Sequence, residues 1–253
     1  MNVLVFVMMV LRGVSPLLPS PQQAIAFGAD YGPLTLNGQW WRLVTSMFVH
    51  FGIVHIGLNM WCLWNLGRAA EHLMGRASYV LAYFVSGIFA SIVSVYWHPM
   101  VAGAGASGAI FGMAGVLVSY VYLKKTPSHI KINSKMLGSL GTFIAYNLAF
   151  GALPGISNAA HIGGLVMGLV VGAMLPAAGA SEDARRARLS FVTVFSAIVL
   201  VGSAIAAKKL SKGVSEPATA EHLIAEKKTD EALTQLQRLT EQAGLDQATG
   251  RVD

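Results

Sequence analysis

The chain of 253 residues is 54% hydrophobic and only 12% charged, with a mean hydropathy of +0.57. Soluble domains carry about a quarter charged residues, so this composition excludes an ordinary water-soluble globule. A net charge of +6 invites a nucleic-acid reading, but the basic residues are sorted along the chain in the way that orients membrane helices, which excludes nucleic acid as the partner.

MNVLVFVMMVL, residues 1–11, is an apolar run stopped by Arg12. It falls short of the ~20 residues that cross a hydrocarbon core, and no positive charge precedes it as in a signal peptide. It reads as a first helix that starts further upstream or continues raggedly to Leu18. A long connection, about 19–45, follows. Candidate spans then lie near 51–67, 78–97, 103–123, 136–153, 159–176 and 189–207. Counting the first helix as span one, the connections after spans two, four and six are basic. They carry Arg68 and Arg76; Lys124, Lys125, Lys131 and Lys135; and Arg185, Arg186 and Arg188. The connections near 98–102 and 154–158 hold neither Lys nor Arg. This alternation assigns the basic loops to the cytoplasm and the 19–45 connection to the outside. A seventh span at 189–207 exports a tail beginning Lys208, Lys209 and Lys212, against the same rule. From 208 to 253 the chain turns polar, and SEPATAEHLIAEKKTDEALTQLQRLTEQAGL reads as two short amphipathic helices forming an accessory segment beside a membrane domain of 1–207. The one cysteine, Cys62, cannot form an intramolecular disulfide and reads as a small apolar residue.

Polar groups within such spans are costly, roughly 2.5–3.5 kcal/mol for a charge at mid-helix, and default to functional candidates. Span two opens HFGIVHIGLNM, bringing His50, His55 and Asn59; the latter two lie one turn apart on one face. Span four carries Ser107 near its start, and span six carries His161 about one turn inside. Singly, each has a structural reading: interfacial snorkelling, a helix–helix hydrogen bond, or close packing of small residues. All four, however, lie in the outer half of their spans. Gly108 and Gly112, like Gly164, Gly168 and Gly172, repeat at intervals of four, which lets backbones approach closely. A crossing of spans four and six on those faces brings Ser107 and His161 within hydrogen-bond reach, the minimum for nucleophilic catalysis. The Asn59 amide, a neutral His55 and the Ser107 amide are then available donors for an oxyanion. The carboxylates that could orient His161, Asp30 and Glu71, lie in a connection or at a helix end, so a dyad is expected, with Phe111 on the face of Ser107 to support the imidazole. No metal is expected, because His50-x4-His55 is not the HExxH spacing and no carboxylate or thiolate completes a zinc set. No other cofactor is expected either.

With these residues in place the chain resembles the rhomboid intramembrane serine proteases. The resemblance covers about Gln39 to Gly172. It rests on Trp41-Arg42, on His50-x4-His55-x3-Asn59, on Gly105-Ala106-Ser107-Gly108, and on Ala160-His161-x2-Gly164-x3-Gly168. It implies an all-α polytopic membrane protein, a six-helix bundle with a seventh helix at the end. Ser107 is implied as nucleophile and His161 as base, and His55, Asn59 and the Ser107 amide as the oxyanion hole. Trp41 and Arg42 are implied to shape the external loop, Glu71 to hold that loop or the base of span two, and His50 to support. Phe111 stands where many relatives have Tyr. The implied substrates are transmembrane segments of other proteins, unwound at the cut and entering from the bilayer. Span five with Leu153-Pro154-Gly155, and the loop 16–33, are the expected mobile elements. The expected location is a bacterial inner membrane, the site opening away from the cytoplasm. The alternatives are an inactive relative that binds membrane clients and a transporter. The first is expected to lack the serine or the histidine; the second to show repeat symmetry and a transmembrane charge. The oligomeric state is open.

Overall fold

The computed structural model describes residues 1–123, 125, 134–150, 157–177, 179–211 and 229–249. The expected hinge Leu153-Pro154-Gly155 lies outside the described residues. Among them the fold is helical, and the β-type pairing is an isolated antiparallel bridge between Asp30 and Gly103.

Helix α1 (Asn2–Leu11) stops at Arg12 rather than running on to Leu18. The chain turns there, with the Leu18 amide donating to Ser15 Oγ at 3.2 Å. The connection that follows is folded around short helical turns. Ser20 opens α2 (Pro21–Ala26) with a reciprocal cap: its Oγ accepts from the Gln23 amide, the Gln23 side chain accepts from the Ser20 amide, and Pro21 supplies the first helical residue. Single turns α3 (Gly32–Thr35) and α4 (Arg42–Thr45) complete it. Arg42 is buried, and its guanidinium donates to the carbonyls of Ile25 at 2.6 Å and Ala29 at 2.9 Å and to Gln39 Oε1 at 2.7 Å. The segment expected to be mobile is therefore tied to a buried cation through charge-assisted bonds, each worth roughly 1.5–3 kcal/mol.

α5 (Ile53–Cys62) continues through a π-helical turn, Leu63–Gly67, into α6 (Arg68–Met74), forming one rod that outlasts the expected end at 67. Gly75, at φ 79°, turns the chain directly into α7 (Arg76–Trp97). α8 (Ser107–Tyr122) is apolar around its circumference and buried along most of its length, which makes it the central helix. It packs between α7 and α10 (Asn158–Met174). The expected glycine crossing forms: a Cβ on Gly164 would collide with the Gly108 carbonyl, and one on Gly168 with the Gly112 carbonyl. α9 (Ser134–Phe150) lies beside α8, with the Phe143 ring 5.4 Å from that of Phe111.

α11 (Glu182–Leu210) runs 29 residues and packs mainly on α7. Ser181 caps its start, accepting from the Ala184 amide at 3.3 Å. Val192, Ser196 and Ala207 face inward, while Phe191, Val194, Ile198, Val201 and Ile205 are exposed. α7 and α11 are the two described helices long and apolar enough to cross a membrane; α1, α8 and α10 are shorter apolar helices. The tail contributes α12 (Thr229–Thr249), one helix of 21 residues. The segment 212–228, where the first of two short helices was expected, lies outside the described residues.

Candidate active site

Ser107 is the first residue of α8, so its amide is one of the donors a helix leaves free at its start. The turn that delivers it depends on Gly105, whose φ of 122° disfavours any side chain. A Cβ there would also sit 2.8 Å from His55 Cε1 and 2.9 Å from Nε2. Gly105 thus lets the backbone before Ser107 lie directly on the His55 ring, and its amide donates to the Ser46 carbonyl at 2.9 Å.

Ser157 caps α10, accepting from the Ala160 amide at 3.2 Å, and fixes the first turn that carries His161. The glycine crossing brings α10 against α8, and His161 Nε2 lies 3.0 Å from Ser107 Oγ. With Ser107 donating, the imidazole proton resides on Nδ1. That atom is buried without a hydrogen-bond partner among the described residues. The ring is held instead by Phe111, stacked on it at 4.3 Å between centroids and 7° between planes. Phe111 reaches that position because it lies four residues after Ser107, one turn along the same face.

His55 and Asn59 face the same cavity from α5. The Phe51 amide donates to His55 Nδ1 at 3.2 Å, which leaves the proton of a neutral ring on Nε2, beside Gly105. Phe51 also stacks on that ring at 6.3 Å and 8°, and His50 packs edge-on from the other side at 5.2 Å. His50 itself donates Nδ1–H to the Phe48 carbonyl at 3.1 Å and is fully buried. Asn59 gives one amide hydrogen to the His55 carbonyl at 2.9 Å, leaving the second free to serve a ligand.

Ser107, His161, His55, Asn59 and Phe51 line a cavity of about 460 Å³ that also touches Asp30, Ser46, Ser91 and Asn147, whereas His50 lies behind His55 and does not line it. Gly105, Gly108 and Phe111 line it as well. Trp41 does not. It is 51% exposed and its ring covers the Arg42 guanidinium at 4.6 Å, so this pair belongs to the connection. Glu71 sits on α6, at the other end of the rod from His55, 3.6 Å from Arg76. Sequence reasoning missed Phe51 as the residue that fixes the His55 tautomer. It also missed the pairing of Asp30 with Gly103. Both act through backbone groups in irregular segments, where no side-chain period announces them.

A family model described as a Rhomboid domain matches residues 37–178. The chain belongs to the rhomboid family. Rhomboid protease GluP of Bacillus subtilis is 39% identical over 188 residues, which is 71% of this chain and 34% of that protein. Rhomboid protease AarA of Providencia stuartii is 34% identical over 178 residues, covering 62% of this chain and 63% of that protein. RHOMBOID-like protein 6, mitochondrial, of Arabidopsis thaliana is 34% identical over 198 residues, 72% of this chain and 64% of that one. The chain thus spans about a third of the Bacillus relative and just under two thirds of the other two. As a rhomboid it is an integral membrane protein. The outward apolar side of α11 accords with that, since a stripe of that length calls for a covering of lipid or protein.

Proposed function

We propose that this rhomboid is an intramembrane serine endopeptidase that cuts transmembrane segments of other proteins with a Ser107–His161 dyad. The observation that carries the reading is the 3.0 Å contact between His161 Nε2 and Ser107 Oγ, at a cavity also faced by His55 and Asn59. The membrane domain is 1–207, with α1, the α5–α6 rod, α7, α8, α9 and α10 as a six-helix bundle and α11 as a seventh span. The polar tail is an accessory segment. The cavity opens away from the cytoplasm, and the membrane is a bacterial inner membrane.

In the reaction, Ser107 Oγ attacks the scissile carbonyl carbon while His161 Nε2 takes its proton. The carbonyl oxygen becomes an oxyanion, received by the Ser107 amide, the free Asn59 N–H and His55 Nε2–H. Collapse expels the amine, which takes the proton from His161 and leaves an acyl ester on Ser107. Water, deprotonated by His161, then attacks the ester, and the serine regains its hydrogen as the acid product departs. Phe111 does the orienting work that a carboxylate does in a triad. Since a helical substrate has its carbonyls bonded internally, it must unwind at the cut. Small or helix-breaking residues there reduce that cost.

The test is labelling by a fluorophosphonate probe together with cleavage of a single-pass reporter protein in reconstituted membranes. Wild-type protein takes up the label and cuts. Ser107→Ala and His161→Ala lose cutting, and Ser107→Ala loses the label. Undiminished cleavage by Ser107→Ala ends the assignment.

A further inference from the structure

The external connection and the segment that delivers Ser107 meet at one point. Asp30 and Gly103 exchange backbone hydrogen bonds, each amide donating to the other's carbonyl at 2.9 Å. The Asp30 side chain is 2% exposed and lies across Gly103, where a Cβ would collide with its Oδ1. That oxygen is buried with no hydrogen-bond partner among the described residues, while the Ser91 hydroxyl and the Gly103 amide stand at the carboxyl. Ser91 shares a hydrogen bond of 3.1 Å with Ser46, and the Ser46 carbonyl accepts the Gly105 amide. The segment 103–105, just ahead of the nucleophile, is thus held at both ends by one polar chain that starts at Asp30.

We propose that Asp30 is a positioning residue for this reaction: as the neutral acid it seats segment 103–106 so that the Ser107 amide lines up with His55 and Asn59, and as the carboxylate it draws that segment out of line. The inference rests on the protease reading given above. Burial raises the Asp30 pKa from the ordinary carboxylate range to about 7, with Ser91, the Gly103 amide and the Arg42 charge pulling partly back. The native protein therefore favours the protonated form. The cost of holding the carboxylate grows as pH rises from the ordinary range and is complete above about 7. Among the described residues, Arg42 on α4 is the charge acting on it, and His98 at the end of α7, His55 and Cys62 on α5 and His161 on α10 are the other titratable groups lining the same cavity. Asp30→Asn keeps the shape and removes one titration while leaving theirs.

The experiment measures kcat and KM of the full chain in liposomes, on a single-pass reporter with a glycine-rich outer segment, from about pH 6 to about pH 8.5. In the wild type kcat falls about tenfold as pH passes 7, well short of the ~10²–10³ lost with an oxyanion donor, and KM holds. Asp30→Asn keeps its kcat across that range. A purely structural Asp30 would lower kcat by one factor at every pH, so profiles of the same shape in both proteins overturn the proposal. A second measurement does not depend on that variant folding. Gly103→Ala lowers kcat when Asp30 is present and much less in an Asp30→Ala background, where nothing is left to collide with; additive losses overturn the proposal. Cleavage that survives Ser107→Ala ends the protease reading itself. Matching pH profiles in an enzyme that still needs Ser107 end only the role of Asp30.

Discussion

His55 is made a donor by a backbone amide. Because Phe51 N–H occupies Nδ1, the remaining proton points at the cavity, and an otherwise ambidextrous ring has one orientation to offer. Asn59 is fixed in the same spirit by its bond to the His55 carbonyl. In the proposed reaction, replacing Asn59 or His55 by Ala removes one donor that matters only once the oxyanion exists. Each change is expected to cut kcat about 10²-fold with KM nearly unchanged, as read from steady-state cleavage. Phe111→Ala acts differently. It deletes a side chain 1% exposed and the plate against which His161 rests. Thermal or denaturant unfolding should report a loss of about 3–5 kcal/mol, and kcat should drop as the imidazole gains freedom. At this scale the sequence was informative wherever residues lie one helical turn apart: His55 with Asn59, Ser107 with Phe111. Asp30 was visible as a carboxylate but not as a partner of Gly103, since two irregular segments distant in the chain meet there without any period to betray it.

The helices owe their arrangement to residues without side chains. Gly164 and Gly168 on α10 lie on carbonyls of α8, so Gly168→Ala must push the two helices apart. Cleavage should fall and the melting temperature should drop, because Ser107 and His161 are carried on the elements being separated. Gly57 on α5 is the control, with nothing within 4 Å of a Cβ built on it. Gly57→Ala should leave cleavage intact and add about 1 kcal/mol through helix propensity alone. Most helices could be read from hydropathy, and the glycine spacing correctly paired α8 with α10. The rod from Ile53 to Met74 was longer than expected because Asn65, Gly67 and Arg68 look like the end of a span. A π turn carries the helix through them, with Gly67 against Tyr79. Arg42 was expected to shape the connection, but its partners were not legible: its fork of donors meets carbonyls that only the folded connection brings together.

Among the described residues a polar site lies inside the bundle while many apolar side chains face outward, the inverse of what water selects. α11 shows this most plainly, and Ile198 is 68% exposed on it. Ile198→Asp should cost about 2.5–3.5 kcal/mol of insertion and shift protein out of the alkali-resistant membrane fraction, whereas Ile198→Ala should not. Basic groups collect at one end of the bundle. Lys125 Nζ donates to the carbonyls of Ala173 at 2.6 Å and Leu175 at 2.7 Å, closing the foot of α10, and Arg185 donates to Met74 at 3.1 Å, closing α6. Residues of the basic connections therefore also finish helices. The serine and its histidine are 54 residues apart in the chain, on the central helix and on one that leaves the ribosome much later. A growing chain holds a hydroxyl with no base to activate it until α10 slots into the glycine groove. Under the proposed dyad, synthesis order alone keeps the nascent chain from cutting its neighbours, and the step that completes the bundle core is also the one that arms it.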